Sequence, residues 1–202
     1  MAINRALDLV KMGREVTLVD LDTVEPFYTL RPIKSFLTSQ GLEVVAWETK
    51  ELKGLGETGV VLHPDIPWVL RRRGDVILDV GYGVGGARTL NLVEGARESK
   101  ELRIIAVVNV ARPITASRQD IVEYIRELGP VHAVLNNSHL GDATDLDIIN
   151  EGARVVTEAA QELGLPVEAT VVEEKWREKV GPVDIQGNPV RYIRRYMKDS
   201  FW

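Results

Sequence analysis

Three aspartates close apolar runs, and a pair of strand-end carboxylates is chemistry that a cation can use. Asp20 and Asp22 end Val16-Thr-Leu-Val-Asp-Leu-Asp22, and Asp79 ends Asp75-Val-Ile-Leu-Asp79. A hydrated Mg²⁺ keeps several waters and takes one or two carboxylates, so adjacent strand ends of this kind suit it. A single aspartate in such a place is equally a helix cap or turn residue. Two runs ending in aspartate, with Asn109 and Asn136-Asn137 ending two more, shift the balance toward a site.

Those residues need strands to position them. Short apolar runs at 16–22, 42–47, 75–79, 104–110, 131–135 and 167–172 read as strands. Helices are expected at 34–40 into Gly41, at 116–128, and at 147–163 ending at Gly164 with Pro166 beyond. Ile3, Ala6, Leu7 and Val10 carry helical spacing, with Gly13 as the stop. Gly81 to Gly86 read as a glycine-rich turn, and 50–67 as loop with an extended piece at Val60-Val61-Leu62. Continuous Val- and Ile-rich strands separated by helices indicate a parallel sheet covered on both faces. The expected class is therefore α/β, a doubly wound and mostly parallel sheet. One nucleotide-binding-type domain is expected over 1–190, with a basic and aromatic tail or helix over 191–202. Ligands of such sheets sit at the carboxyl ends of the strands.

Composition narrows the function classes. The 202 residues are 45% hydrophobic and 27% charged, with a formal charge of −5 that disfavours a nucleic-acid-coating role. No cysteine is present, which rules out disulfides, thiolate zinc sites and cysteine nucleophiles and fits a reducing cytoplasm. No apolar run reaches membrane-span length and no signal-peptide pattern opens the chain, so a cytoplasmic protein is expected.

The apolar run closing in Asp20-Leu-Asp22, with a helix before it, resembles the second strand of the MinD/ParA/CobQ-type (SIMIBI class) P-loop ATPases. Val76-Ile-Leu-Asp79-Val-Gly81 resembles their Walker B strand, and Val134-Leu-Asn136 their adenine-reading strand end. Leu163-Gly-Leu-Pro166-Val fits the same layout. The resemblance covers about residues 2 to 172 in matching order. Glu25-Pro-Phe-Tyr, Asn136-Asn-Ser-His-Leu-Gly141 and the aromatic tail are similar to one bacterial branch of such ATP-binding proteins. The resemblance implies ATP and Mg²⁺ as cofactors, with Asp79 and Asp20 at the metal. Asp22 would orient the attacking water, Asn136 and Pro166 would lie at the nucleotide, and Thr23 to Arg31 would form a switch loop. A homodimer or a protein partner would regulate the switch. The family's Walker A loop, however, has no counterpart in this sequence. The resemblance thus implies an N-terminally truncated chain that binds ATP poorly and hydrolyses none, since that loop supplies the phosphate cradle.

Two alternatives stand beside this reading. One is a non-enzymatic degenerate scaffold that only binds a partner. The other is an S-adenosylmethionine-dependent methyltransferase, because Asp79-Val-Gly-Tyr-Gly-Val-Gly85 resembles the first motif of those enzymes and Gly81-x-Gly83-x-x-Gly86 meets the dinucleotide fingerprint. That fingerprint requires an acidic residue at the end of the next strand. Here the next strand ends in Asn109-Val-Ala-Arg112-Pro113, with no carboxylate. His63, His132 and His139 show no metal-ligand spacing, and the charges of Glu173 to Lys179 and of Arg71 to Arg73 read as solvated surface.

Overall fold

The structure, a computed structural model, describes residues 1–24, 29–47 and 62–197. The chain separates into two compact units, Met1–Leu102 and Arg103–Trp202.

In the first unit, helix α1 (Ala2–Lys11) buries Ile3, Ala6, Leu7 and Leu9 and leads into strand β1 (Val16–Leu21). A 3-10 turn (Arg31–Ile33) and α2 (Lys34–Ser39) lead to β2 (Glu43–Val45), which is shorter than the expected 42–47. A second 3-10 turn (Ile66–Arg71) precedes β3 (Asp75–Val80). The sheet order is β2-β1-β3, all parallel. All six residues of β1 are buried, as its central place demands, whereas every residue of β3 is only half-buried. Among the described residues no strand pairs with the outer side of β3. Val19 and Leu21 of β1 join Val76, Leu78 and Val80 of β3 in one apolar cluster with Val45, Ile66, Val69 and Val93. Strand alternation therefore turns Asp20 and Asp79 to the opposite face.

The glycine-rich segment corrects the expectation of a turn. After Gly81 it becomes a short helix, α3 (Gly83–Arg88). The reason is local packing: a Cβ on Gly86 would overlap the Gly81 carbonyl oxygen, so the chain can double back this tightly only without side chains. The extended piece expected at Val60-Val61 lies outside the described residues.

The second unit is a parallel four-stranded sheet of order β4-β5-β6-β7, from β4 (Ile105–Val108), β5 (Ala133–Asn136), β6 (Val167–Glu173) and β7 (Val190–Ile193). Helix α4 (Arg118–Leu128) starts at a reciprocal cap, in which Ser117 Oγ accepts from the Asp120 amide and Asp120 Oδ2 accepts from the Ser117 amide. Helix α5 (Leu146–Leu163) is capped by Asp145 and stops at Gly164, whose φ of 66° is the left-handed conformation expected there. Both helices pack on the sheet through Ile121, Ile125, Val155, Val156 and Ala159 against Ala106, Val108 and Val134. A short α6 (Arg177–Val180) follows β6. The segment expected as a basic and aromatic tail or helix over 191–202 has its first three residues in β7, an added parallel edge strand. Three of its four residues, Val190, Tyr192 and Ile193, are β-branched or aromatic, types that suit a pleated edge.

The coarse class is α/β with parallel sheets and covering helices. No helix among the described residues is long and apolar enough to cross a membrane.

Candidate functional site

In the first unit the carboxyl ends of β1 and β3 meet. The register sets Asp20 directly beside Asp79 and Leu21 beside Val80. Asp20 is buried, and its Oδ2 accepts from Arg31 Nε at 2.7 Å in an ion pair almost wholly withdrawn from water. Its Oδ1 accepts from the Asp22 amide at 3.1 Å. Burial pushes the Asp20 carboxyl up, and the Arg31 guanidinium opposes that shift. Asp22 turns its carboxyl onto the exit of β3: a Cβ on Gly81 would lie 2.5 Å from Asp22 Oδ1. The same oxygen accepts from the Val24 amide at 2.9 Å.

Asp79 differs from both. Among the described residues no side chain or amide hydrogen-bonds its carboxyl. Burial pushes it up to about 6; the positive charge of the amino terminus at Met1 opposes that shift, and the charges of Asp20 and Asp22 add to it. A carboxyl that titrates near neutrality at a strand end can hold or release a proton, or exchange that proton for a cation. The structure thus assembles Asp20, Asp22 and Asp79 as the sequence predicts, but in different states. Asp20 is committed to Arg31, so for it to bind a metal a guanidinium would have to be displaced. Among the described residues no group of three or more His, Cys, Asp or Glu side chains is placed to hold a metal ion. Arg31 was not foreseen as a partner; its place at the end of the segment following Asp22 was the only sequence signal. Much of the expected switch loop, residues 25–28, lies outside the described residues.

In the second unit Asn136 does not present its amide to a ligand. It is buried, with Oδ1 accepting from Ser138 Oγ at 2.6 Å and Nδ2 donating to Thr170 Oγ1 at 3.1 Å. Thr170 donates onward to Asp184 Oδ2 at 2.6 Å, and Asp184 also accepts from the Gln186 and Asn188 amides. Helix α5 seals this network, because Gly152 passes so close that a Cβ there would lie 2.5 Å from Ser138 Oγ. Reading a base with Asn136 would require breaking these buried bonds. Pro166 precedes β6 at the amino edge of the parallel sheet, where its carbonyl accepts from the Val134 amide at 3.0 Å. It is therefore not brought together with Asn136 at the carboxyl edge. Ser138 lies in the Asn136-to-Gly141 run singled out from the sequence, but Thr170 and Asp184 carried no sequence signal, since the bonds that bring them to Asn136 join residues of separate elements.

No family model matches the chain, and no curated protein matches it. A solved structure that it matches is the D-threo-3-hydroxyaspartate dehydratase from Delftia sp. HT23, with 16% identity and a TM-score of 0.41. That match covers 95% of this chain, which spans 56% of the length of the dehydratase chain. The resemblance to MinD/ParA-type P-loop proteins is corrected accordingly: no family model matches the chain, and the solved structure just named is a dehydratase and not an ATPase. The ATP-binding switch, its scaffold variant and the methyltransferase alternative are withdrawn with it. At this level of similarity the dehydratase match transfers no activity to the chain.

Proposed function

We propose that the first unit binds a hydrated divalent cation, Mg²⁺, at Asp79 and Asp22, and that the cation makes the carboxyl edge of its sheet a site for a small polar ligand. One observation carries the reading. Asp79 lies beside Asp20, unsatisfied by any described donor, with its carboxyl pushed up to about 6. A cation relieves that cost by balancing the charge that burial and two neighbouring carboxylates disfavour. Mg²⁺ retains most of its waters and needs only one or two carboxylates, which fits a site where three do not converge. Asp20, held by Arg31, acts at a distance by adding negative field. A cytoplasmic location belongs to the same reading, since a chain without cysteine suits a reducing compartment.

The test is a carboxyl ¹³C NMR titration of the full chain with and without millimolar Mg²⁺. The Asp79 midpoint should lie near 6 without the cation and fall by about one unit or more with it, a cation–carboxylate coupling of ordinary size. Asp22→Asn should shrink that displacement. An Asp79 midpoint that Mg²⁺ leaves in place would overturn the reading.

A further inference from the structure

The carboxyl edge of the second sheet gathers positive charge around a histidine. Asn109, just past β4, clamps the following loop to the one after β5. Its Nδ2 donates to the His139 carbonyl at 3.1 Å, and its Oδ1 accepts from the His139 amide at 3.2 Å and the Ala111 amide at 2.9 Å. The Asn109 carbonyl accepts from Thr115 Oγ1 at 2.7 Å and from the Arg112 amide at 3.0 Å. The two loops are thereby tied, with Arg112 and His139 on them. Past β7, Arg195 approaches the same place: it pairs with Asp142, and its Nη2 lies 3.7 Å from where a Gly141 Cβ would stand. The His139 ring is oriented as well. Its Nδ1 accepts from the Gly141 amide at 3.2 Å, which leaves the proton of the neutral ring on Nε2 as a donor.

We propose that His139 Nε2–H, Arg112 and Arg195 form an oxyanion site at the carboxyl edge of this sheet, suited to a phosphate-bearing small molecule. Guanidiniums and a ring N–H are the donor types that phosphate oxygens accept, and both arginines lie close enough to act on the His139 charge. The carboxyl edge of a parallel sheet is also where such folds take ligands. The charges facing His139 support the assignment. Burial lowers its pKa first, then Arg195 and Arg112 lower it further, with Glu173 as the weaker opposing charge. Two cations that disfavour a protonated histidine at one spot are an arrangement that an anion would stabilise. Asp142, the exposed partner of Arg195, is the group that a bound anion would displace. The site uses only residues of the second unit and does not depend on the cation proposed at Asp79.

The experiment is a histidine NMR titration of the full chain in inorganic phosphate, against chloride at matched ionic strength. Phosphate should raise the His139 midpoint, because an anion at Nε2 favours the imidazolium, while His63 and His132 stay in place. Arg112→Gln and Arg195→Gln should each weaken the phosphate response about tenfold, the loss expected for one charge-assisted contact. The His132 resonances report that each variant remains folded. Three results would overturn the proposal: no displacement of His139 in millimolar phosphate, a response that survives both arginine substitutions, or a larger response to acetate than to phosphate.

Discussion

Replacing Asp79 with asparagine isolates the cost of a charge that the fold does not satisfy. In the unfolded chain the carboxyl ionises near its ordinary value of 3.8, and in the folded chain at about 6. The folded state therefore binds the extra proton over that interval, and stability must fall as pH rises through it. Below 3.8 both states are protonated and the charge costs nothing. Above about 6 the full cost applies: two units at about 1.4 kcal/mol each give an upper limit of ~3 kcal/mol. Water reaches the half-buried β3, so ~1–3 kcal/mol is the working range. An asparagine side chain keeps the shape of the carboxyl and carries no charge. Asp79→Asn should thus match the parent to within a few tenths of a kcal/mol near pH 4 and exceed it by ~1–3 kcal/mol at pH 8. For a chain of this size, each kcal/mol moves Tm by about 2–4 °C. Urea unfolding of both proteins at the two pH values reads the difference directly, because every other titrating group is shared. A stability gap of equal size at pH 4 and pH 8, or a variant less stable than the parent at pH 8, would refute the reasoning.

The buried pair gives the second expectation. Arg31→Met should cost ~3–5 kcal/mol by leaving Asp20 charged and unpaired, and Asp20→Asn with Arg31→Met should recover most of it, as chemical denaturation of the two variants would show. Glycines 85 and 86 provide an internal contrast. Gly86→Ala forces a Cβ into the Gly81 carbonyl and should lower Tm and disturb the Asp79 titration, whereas a Cβ on Gly85 meets nothing within 4 Å. Gly85→Ala should therefore be neutral or stabilising by up to ~1 kcal/mol, as alanine is in a helix. Equal losses in the two variants would show that the close turn is not the constraint.

Local pattern carried most of the secondary structure. The runs at 16–22 and 75–79 and the helices at 116–128 and 147–163 were legible because hydrophobic period, caps and the Gly164 stop all act within a few residues. Strand-end placement followed too: once two parallel strands are granted, Asp20 and Asp79 must lie at the same edge. The glycine-rich segment was misread as a turn because its helical course is decided by the approach of Gly86 to the Gly81 carbonyl. The first residues of the segment read as a basic and aromatic tail or helix over 191–202 fall in β7, because Val190–Ile193 gains its regularity from pairing with β6, not from itself.

What the sequence by itself determined is the α/β class, the parallel strands and the candidate carboxylates, since these follow from residue type and short-range spacing. Only the tertiary structure decided what those residues are free to do. Arg31 reaches Asp20 from eleven positions on, Thr170 reaches Asn136 across thirty-four, and Asn109 ties His139 down across thirty. Each contact converts a residue that looks available in the sequence into one that is already bonded, or brings distant charges to one edge. Charge state and hydrogen-bond occupancy are properties of the space around a side chain, and no local pattern encodes that space.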